Sequence, residues 1–376
     1  MSIVIVTGAR APYTHLLYEA LGEAVAELVH VLACTDREAT RLWQIPPARA
    51  YRYEVLPGLR LTRSLVSTIY FNPAVVWRLM ALAPSLLIVN DFSPTSVLAV
   101  LTARWLGIPV GVRTDSVPAT DPGSRSRPHR LARRIIVSRC DFGIAPSEAS
   151  MRLLQSYGMA ADRIAITHLF PGWRPTLGPA AFDERTFDLL FCGTLDEPVK
   201  GALFFADVVV RLAGRGRRLV VRVTGDGPAR GDMERRFAAA GIQARFDGFI
   251  DQAGLEAVYR SARLLAYPSR GDVWGIAVNE ALQCGTPVLC SPHATVANEL
   301  LAPAGAGTVA PLDVDVWADA VAAMLGDKIA WRKQQANALA AVSRFGLAAA
   351  VDSYRSVIDR FTAERGQLRR SPAQSG

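Results

Sequence analysis

Short runs of β-branched and aliphatic residues alternate with helix-forming stretches along nearly the whole of this 376-residue chain. That alternation is the strongest constraint on its fold, because neighbouring parallel strands need long crossover connections and helices are the usual ones. In the first half, strands are predicted at Ser2–Thr7, Val29–Cys34, Leu86–Val89, Val110–Arg113 and Phe142–Ala145. Helices are predicted at Pro12–Leu28, Ser96–Leu106, Leu131–Ser138 and Ser147–Tyr157. The pattern then repeats, with strands expected at Phe187–Phe191, Leu219–Thr224, Ala244–Phe246, Leu264–Tyr267, Pro287–Cys290 and Gly307–Val309, and helices such as Ala202–Arg215 and Leu255–Ala262 between them. Two α/β halves of Rossmann-like type follow, and 376 residues exceed what one hydrophobic core usually supports.

The segment from Tyr267 to Ser291 reads as strand, loop, helix, turn and strand, and it sets Asp272 and Glu280 eight residues apart around Gly275. Amides at the loop-to-helix junction around Gly275 and Ile276 suit a diphosphate, since the first N–H groups of a helix lack intrahelical partners. Without a side chain, Gly275 lets a ligand approach closely. Glu280 would then lie one or two turns into the helix, where it suits a ribose diol, and Asp272 suits sugar hydroxyls beyond the phosphates.

The motif D-x-W-G-x-x-x-N-E-A-x-x-x-G-T-P-V in this segment resembles the acid-x7-Glu signature of retaining GT-B glycosyltransferases, especially glycosyltransferase family 4. Three further blocks agree in order and spacing. Phe191 to Gly201 resembles the family's G-R-x-x-x-x-x-K-G loop, Val223 to Pro228 its G-x-G-P turn, and Phe246 to Ile250 the strand-turn beside the nucleobase. The resemblance covers about residues 188 to 312 and implies a GT-B fold: two Rossmann-like domains facing across a cleft, with a C-terminal helix returning to the N-terminal domain.

The boundaries expected are an acceptor-binding domain over 1–170, a Pro/Gly-rich linker over 171–185 and a nucleotide-sugar domain over 186–344. A returning helix is expected over 345–366 and a disordered tail over 367–376. The resemblance assigns Lys200 to the diphosphate, Glu280 to the ribose and Asp272 to the donor sugar, these three being the catalytic candidates. Gly193, Thr194, Gly225, Gly227, Phe249, Ile250, Trp274, Gly275 and Ile276 complete the expected donor contacts. Two positions depart from the family: Thr194 stands where an arginine is usual, and Asp272 where glutamate is commoner. The implied reaction moves a hexose, with retention, from a UDP or GDP sugar to a hydroxyl of a saccharide or lipid-linked acceptor. No cofactor and no metal are expected, because Lys200 and helix-end amides would carry the leaving-group charge.

Ends of the predicted N-terminal strands supply the candidate acceptor contacts: Tyr13 and His15 after the first, Asp91 after the middle one, and Arg113 and Asp115 after the next. The net charge of +8 is uneven, and the segment between Pro122 and Asp141 holds six arginines and no carboxylate. As a helix it would bring Arg127, Arg130 and Arg134 near one side, a basic face suited to an anionic membrane surface.

Other classes fit less well. No apolar run approaches the ~18 residues of a membrane span, and Ile3–Val6 is too short for a secretory signal. The reading is therefore cytoplasmic, with peripheral attachment at the inner membrane face. Five scattered cysteines and five scattered histidines give no metal spacing, and nothing in the chain points to a nucleic-acid partner. Gly225-Asp226-Gly227 with Gly231 faintly resembles a dinucleotide turn. A nucleotide-sugar epimerase of the same architecture and a noncatalytic homologue stay open as alternatives.

Overall fold

The computed structural model describes residues 2–36, 45–64, 67–118, 121, 123 and 126–370. It divides into two compact units, residues 1–168 with 347–376 and residues 169–346. The first contains β1 (Ser2–Thr7), α1 (Pro12–Ala24), β2 (Leu28–Ala33), β3 (Arg52–Val55), β4 (Leu59–Ser64), β5 (Ser67–Phe71) and α2 (Val75–Leu82). It continues through β6 (Leu86–Val89), α3 (Pro94–Trp105), β7 (Val110–Arg113), α4 (Arg127–Val137), β8 (Phe142–Ala145), α5 (Glu148–Ser156) and β9 (Ile164–Ile166).

Seven strands form a parallel sheet in the order β3-β2-β1-β6-β7-β8-β9, so the chain reverses its winding between β1 and β6. Val4, Val6, Leu87, Val89, Val110 and Val112 pack beneath Val75, Leu79, Val100, Ala103 and Ile136, which places α2, α3 and α4 on one face. Strands buried on both faces account for the near-continuous apolar runs in the sequence. The antiparallel hairpin β4-β5 and the helix α2 were not expected; Leu59 and Leu61 of the hairpin are exposed, so its apolar residues do not mark an inward face.

Several boundaries move for local reasons. Helix α1 stops at Ala24 because Leu28 already pairs with Ser2 in the sheet. Helix α4 starts at Arg127 rather than Leu131, with Pro128 in the first turn, where its missing N–H costs nothing. The hydroxyl of Ser93 accepts from the Ser96 N–H at 3.2 Å and starts α3 at Pro94.

The second unit contains β10 (Phe187–Cys192), α6 (Glu197–Lys200), α7 (Ala202–Gly214), β11 (Val220–Thr224), α8 (Arg230–Ala239), β12 (Gln243–Gly248), α9 (Gln252–Arg260) and β13 (Ala262–Tyr267). It ends with α10 (Ile276–Gln283), β14 (Val288–Cys290), α11 (Ala302–Ala304), β15 (Gly307–Val309), α12 (Val314–Gly326) and α13 (Lys328–Val342). Its parallel sheet runs β12-β11-β10-β13-β14-β15. Leu189, Phe191, Val221, Val223, Leu264 and Leu289 pack against Phe205, Val209, Met233 and Trp317. Parallel strands put the ends of β10, β11, β13 and β14 on one edge, where an open α/β sheet binds ligands.

The division falls between His168 and Leu169. Residues 171–185, read as a linker, belong to the second unit, and Arg185 is buried there. Phe345 was expected to open the last helix. It lies instead in a 3-10 turn, 5.9 Å from the Trp274 ring in the second unit, and helix α14 (Leu347–Arg370) begins two residues later. That helix packs on α1, and its Phe361 stacks on Phe142 at 4.5 Å, as expected for a helix returning to the N-terminal unit. Residues 367–370, read as the start of the tail, are its last turn, consistent with the helix-forming Gln, Leu and Arg found there. The rest of the expected tail lies outside the described residues. Among the described residues, no helix is long and apolar enough to cross a membrane.

Candidate functional site

Three strand ends of the second unit are laced together backbone to backbone. The Gly193 N–H donates to the Thr224 carbonyl at 3.0 Å, Leu195 N–H to Asp226 at 3.0 Å, and Gly225 N–H to Gly248 at 2.8 Å. Gly225 has φ +125°, and a Cβ there would lie 1.9 Å from the Gly193 carbonyl oxygen, so only glycine fits. Gly227 sits against Leu195 in the same way, with a Cβ 2.5 Å from its oxygen. The glycines assigned to the donor thus shape the strand-end surface; Thr194 is exposed beside them and Phe249 is 53% exposed.

Lys200 is placed by a capped turn. The Asp196 carboxylate accepts from the Val199 and Lys200 N–H groups at 2.8 and 3.1 Å, and this starts α6. The ammonium then reaches Asp272 Oδ2 at 2.5 Å and the Tyr267 hydroxyl at 3.2 Å, while Tyr267 also donates to Asp272 Oδ2 at 2.5 Å. Burial pushes the Asp272 carboxyl up, but the charge and hydrogen bond of Lys200 outweigh it and hold the group below the usual carboxylate range. The sequence therefore named two residues that the fold brings into direct contact.

The loop before α10 is held to the next strand end. Asp272 N–H donates to His293 at 3.3 Å, and Val296 N–H to Trp274 at 3.0 Å. Gly275, at φ +107°, precedes Ile276 at the start of α10, and a Cβ there would come within 2.9 Å of Val296 Cγ1. Trp274 corrects its expected role. Its ring is 1% exposed and its indole N–H donates to Asn279 Oδ1 at 3.0 Å, so it braces the loop from inside.

Glu280 lies one turn into α10 and is 7% exposed. Its Oε1 accepts from the Trp173 indole N–H at 3.0 Å and its Oε2 from the Tyr259 hydroxyl at 2.8 Å. Burial raises its pKa to about 7 against the pull of those two donors. Trp173 and Tyr259 have near-parallel rings, 17° apart, and Tyr259 also reaches Cys192 Sγ at 3.3 Å. Neither residue was named from the sequence; a tryptophan inside a stretch of prolines and glycines was the one available signal.

Arg185 was missed for the same reason. Its guanidinium donates to the carbonyls of Ala180, Tyr259, Ala262, Cys284 and Gly285 and to the Thr286 hydroxyl, tying α9 to the turn after α10.

In the first unit the candidates gather at the ends of β1, β6 and β7. Arg113 is 9% exposed; burial alone would lower its pKa, yet Tyr354, Tyr13 and Asp115 raise it, so it stays a fixed cation. Tyr354, from α14, is the unexpected member of this group. The Asp91 carboxylate is engaged by Ser93 N–H at 2.9 Å and by the Ser96 hydroxyl, and so serves the start of α3. His15, expected among the acceptor contacts, is 6% exposed with Nδ1 2.9 Å from the Tyr51 hydroxyl, which makes it an interior residue. On α4, Arg127, Arg130 and Arg134 are exposed and flank Leu131, which is 60% exposed. Arg133 turns inward to a buried ion pair with Asp121.

Two family models match: glycosyl transferases group 1 over residues 186–327 and glycosyl transferase 4-like domain over residues 8–169. D-inositol 3-phosphate glycosyltransferase 1 of Catenulispora acidiphila is 26% identical over 294 residues, 69% of this chain and 69% of the relative. The D-inositol 3-phosphate glycosyltransferase of Nocardia farcinica is 29% identical over 68% of this chain and 61% of its own length. Among solved structures, Anabaena HepE in complex with UDP superposes with a TM-score of 0.74 at 16% identity, covering 96% of this chain and all of that one.

Proposed function

We propose that this chain, which is a glycosyltransferase of the GT-B fold, transfers a hexose with retention from a nucleoside-diphosphate sugar to a hydroxyl of a saccharide or lipid-linked acceptor. The observation that carries the reading is the grouping of Lys200, Asp272, the start of α10 and Glu280 on the carboxyl edge of one sheet. An ammonium has three donors. Asp272 and Tyr267 take two of them, and the third remains for a phosphate oxygen.

The chemistry follows from that placement. As the glycosidic bond to the diphosphate breaks, negative charge grows on the leaving oxygen, and Lys200 with the first amides of α10 stabilises it without a metal ion. In a front-face transfer the departing phosphate takes the acceptor's proton, so no strong enzymatic base is needed. Asp272, kept ionised by Lys200, has both lone pairs of Oδ2 taken by Lys200 and Tyr267 and one of Oδ1 by the Trp274 N–H, which leaves one on Oδ1 for a hydroxyl of the donor sugar. Glu280 takes the ribose diol. Arg113 suits an acceptor phosphate, a choice supported by the inositol phosphate named for the two relatives. Peripheral attachment at the inner membrane face, through Arg127, Arg130 and Arg134, fits an acceptor carried on lipid.

The test is calorimetry with UDP-glucose and GDP-mannose together with an assay of nucleoside diphosphate release. Glu280→Ala should abolish donor binding, and release should require an acceptor. Unchanged affinity would reject the ribose role; donor isomerisation without transfer would favour an epimerase, and binding without turnover a noncatalytic homologue.

A further inference from the structure

Glu280 is nearly enclosed, yet among the described residues no cation pairs with it: its two hydrogen-bond donors, Tyr259 and Trp173, are both uncharged. Each holds one lone pair of a different carboxylate oxygen, and each oxygen has a second one. An unneutralised carboxylate with one free lone pair on each oxygen matches a ligand that offers two neighbouring hydroxyl donors. Trp173 reaches this position from the stretch that opens the second unit, 107 residues away in sequence, and the adjacent Leu169 carbonyl accepts from Asn279, the neighbour of Glu280, at 3.1 Å.

We propose that Trp173 and Tyr259 are positioning residues that aim the two open lone pairs of Glu280 at a vicinal diol and govern whether this carboxyl holds a proton when the nucleotide arrives. The inference rests on the ribose role given to Glu280 above. Both donors favour the ionised form, as does a diol, whereas burial favours the protonated form.

The shifted neighbours of Glu280 among the described residues are moved away from neutrality. On β10, Cys192 is pushed up to about 12 by burial, and Tyr259 on α9 lies well above its ordinary value for the same reason. Beyond them, Glu256 of α9 is lowered by the backbone N–H of Thr176, while Arg260 of α9, Arg185 and Cys284 face the far end of α10. The remaining residues of α10 carry no charge.

Ligand donors prefer the carboxylate, so affinity should rise with pH and level off above the Glu280 pKa of about 7. Below it, affinity should fall about tenfold per pH unit, the slope for one linked proton. Removing either donor destabilises the ionised form and moves the inflection to higher pH.

The experiment is isothermal calorimetry with UDP-glucose and GDP-mannose between pH 5.5 and 8.5, a range in which a doubly esterified diphosphate does not titrate. Wild type, Trp173→Phe, Tyr259→Phe and Glu280→Gln are compared. The inflection should shift upward by half a unit or more in both aromatic variants, with Trp173→Phe regaining near wild-type affinity at the highest pH, and should vanish in Glu280→Gln. Aromatic variants that weaken binding equally at every pH would overturn the proposal, because that is the pattern of a merely structural role. If Glu280→Gln binds as wild type does at every pH, the ribose reading itself fails; if it binds weakly while wild type shows no pH dependence, only the present inference fails.

Discussion

Replacing Arg185 with leucine would show how the proposed nucleotide edge is held in shape. The guanidinium is 1% exposed and faces backbone carbonyls and a hydroxyl, with no carboxylate among the acceptors. Burial lowers its pKa from 12.5 to about 10, a cost near 3 kcal/mol at ~1.36 kcal/mol per unit, which leucine relieves. Against this stand the lost hydrogen bonds. The Ala180 and Gly285 carbonyls keep Gln335 as a second donor and the Tyr259 carbonyl keeps the Thr286 hydroxyl. The Ala262 and Cys284 carbonyls and the Thr286 oxygen lose a charged donor. At about 2 kcal/mol for each such bond, the loss is roughly 6 kcal/mol and exceeds the relief. A net destabilisation of about 3 kcal/mol follows, seen in calorimetry as a fall in Tm of about 6–12 °C for a unit of this size. Because the same bonds tie α9 to the turn after α10, nucleotide affinity should fall several-fold at temperatures where the variant is folded. A change below about 1 kcal/mol with affinity intact would refute the reasoning.

Three other perturbations probe separate parts of the account. Lys200→Ala should lower turnover by at least ~100-fold, the scale of losing one charge-stabilising donor, and a steady-state assay giving near wild-type rates would remove Lys200 from the phosphate. Gly225→Ala places a Cβ 1.9 Å from the Gly193 oxygen; the strand-end loops must separate, and nucleotide affinity measured by thermal shift should drop more than tenfold. Replacing Arg127, Arg130 and Arg134 together by glutamine should reduce sedimentation with anionic liposomes at low salt, whereas unchanged sedimentation would leave α4 an ordinary solvated helix.

Strands such as β1, β6, β7 and β8 were legible to the residue, because a strand covered on both faces must be mostly apolar and its neighbours in sequence must be turns or helix starts. The same physics hid β4 and β5, which among the described residues pair with each other alone and expose Leu59, Leu61 and Phe71. In the proposed nucleotide site, short motifs that resemble the family's were enough to name Lys200, Asp272, Gly275 and Glu280. They gave no warning that Lys200 and Asp272 form an ion pair, since the two are 72 positions apart. Trp274 illustrates the opposite error: it sits inside the motif, but its indole satisfies Asn279 within the core. The partners that tune the site, Trp173, Tyr259 and Arg185, act by long-range hydrogen bonds that no short pattern encodes.

The most direct measurement is a crystal structure of the protein with a bound nucleoside-diphosphate sugar. The account expects the diphosphate within hydrogen-bonding distance of the Lys200 ammonium and the first amides of α10, with both ribose hydroxyls on Glu280. A ligand seated away from these groups, or a ribose that leaves Glu280 untouched, would contradict it.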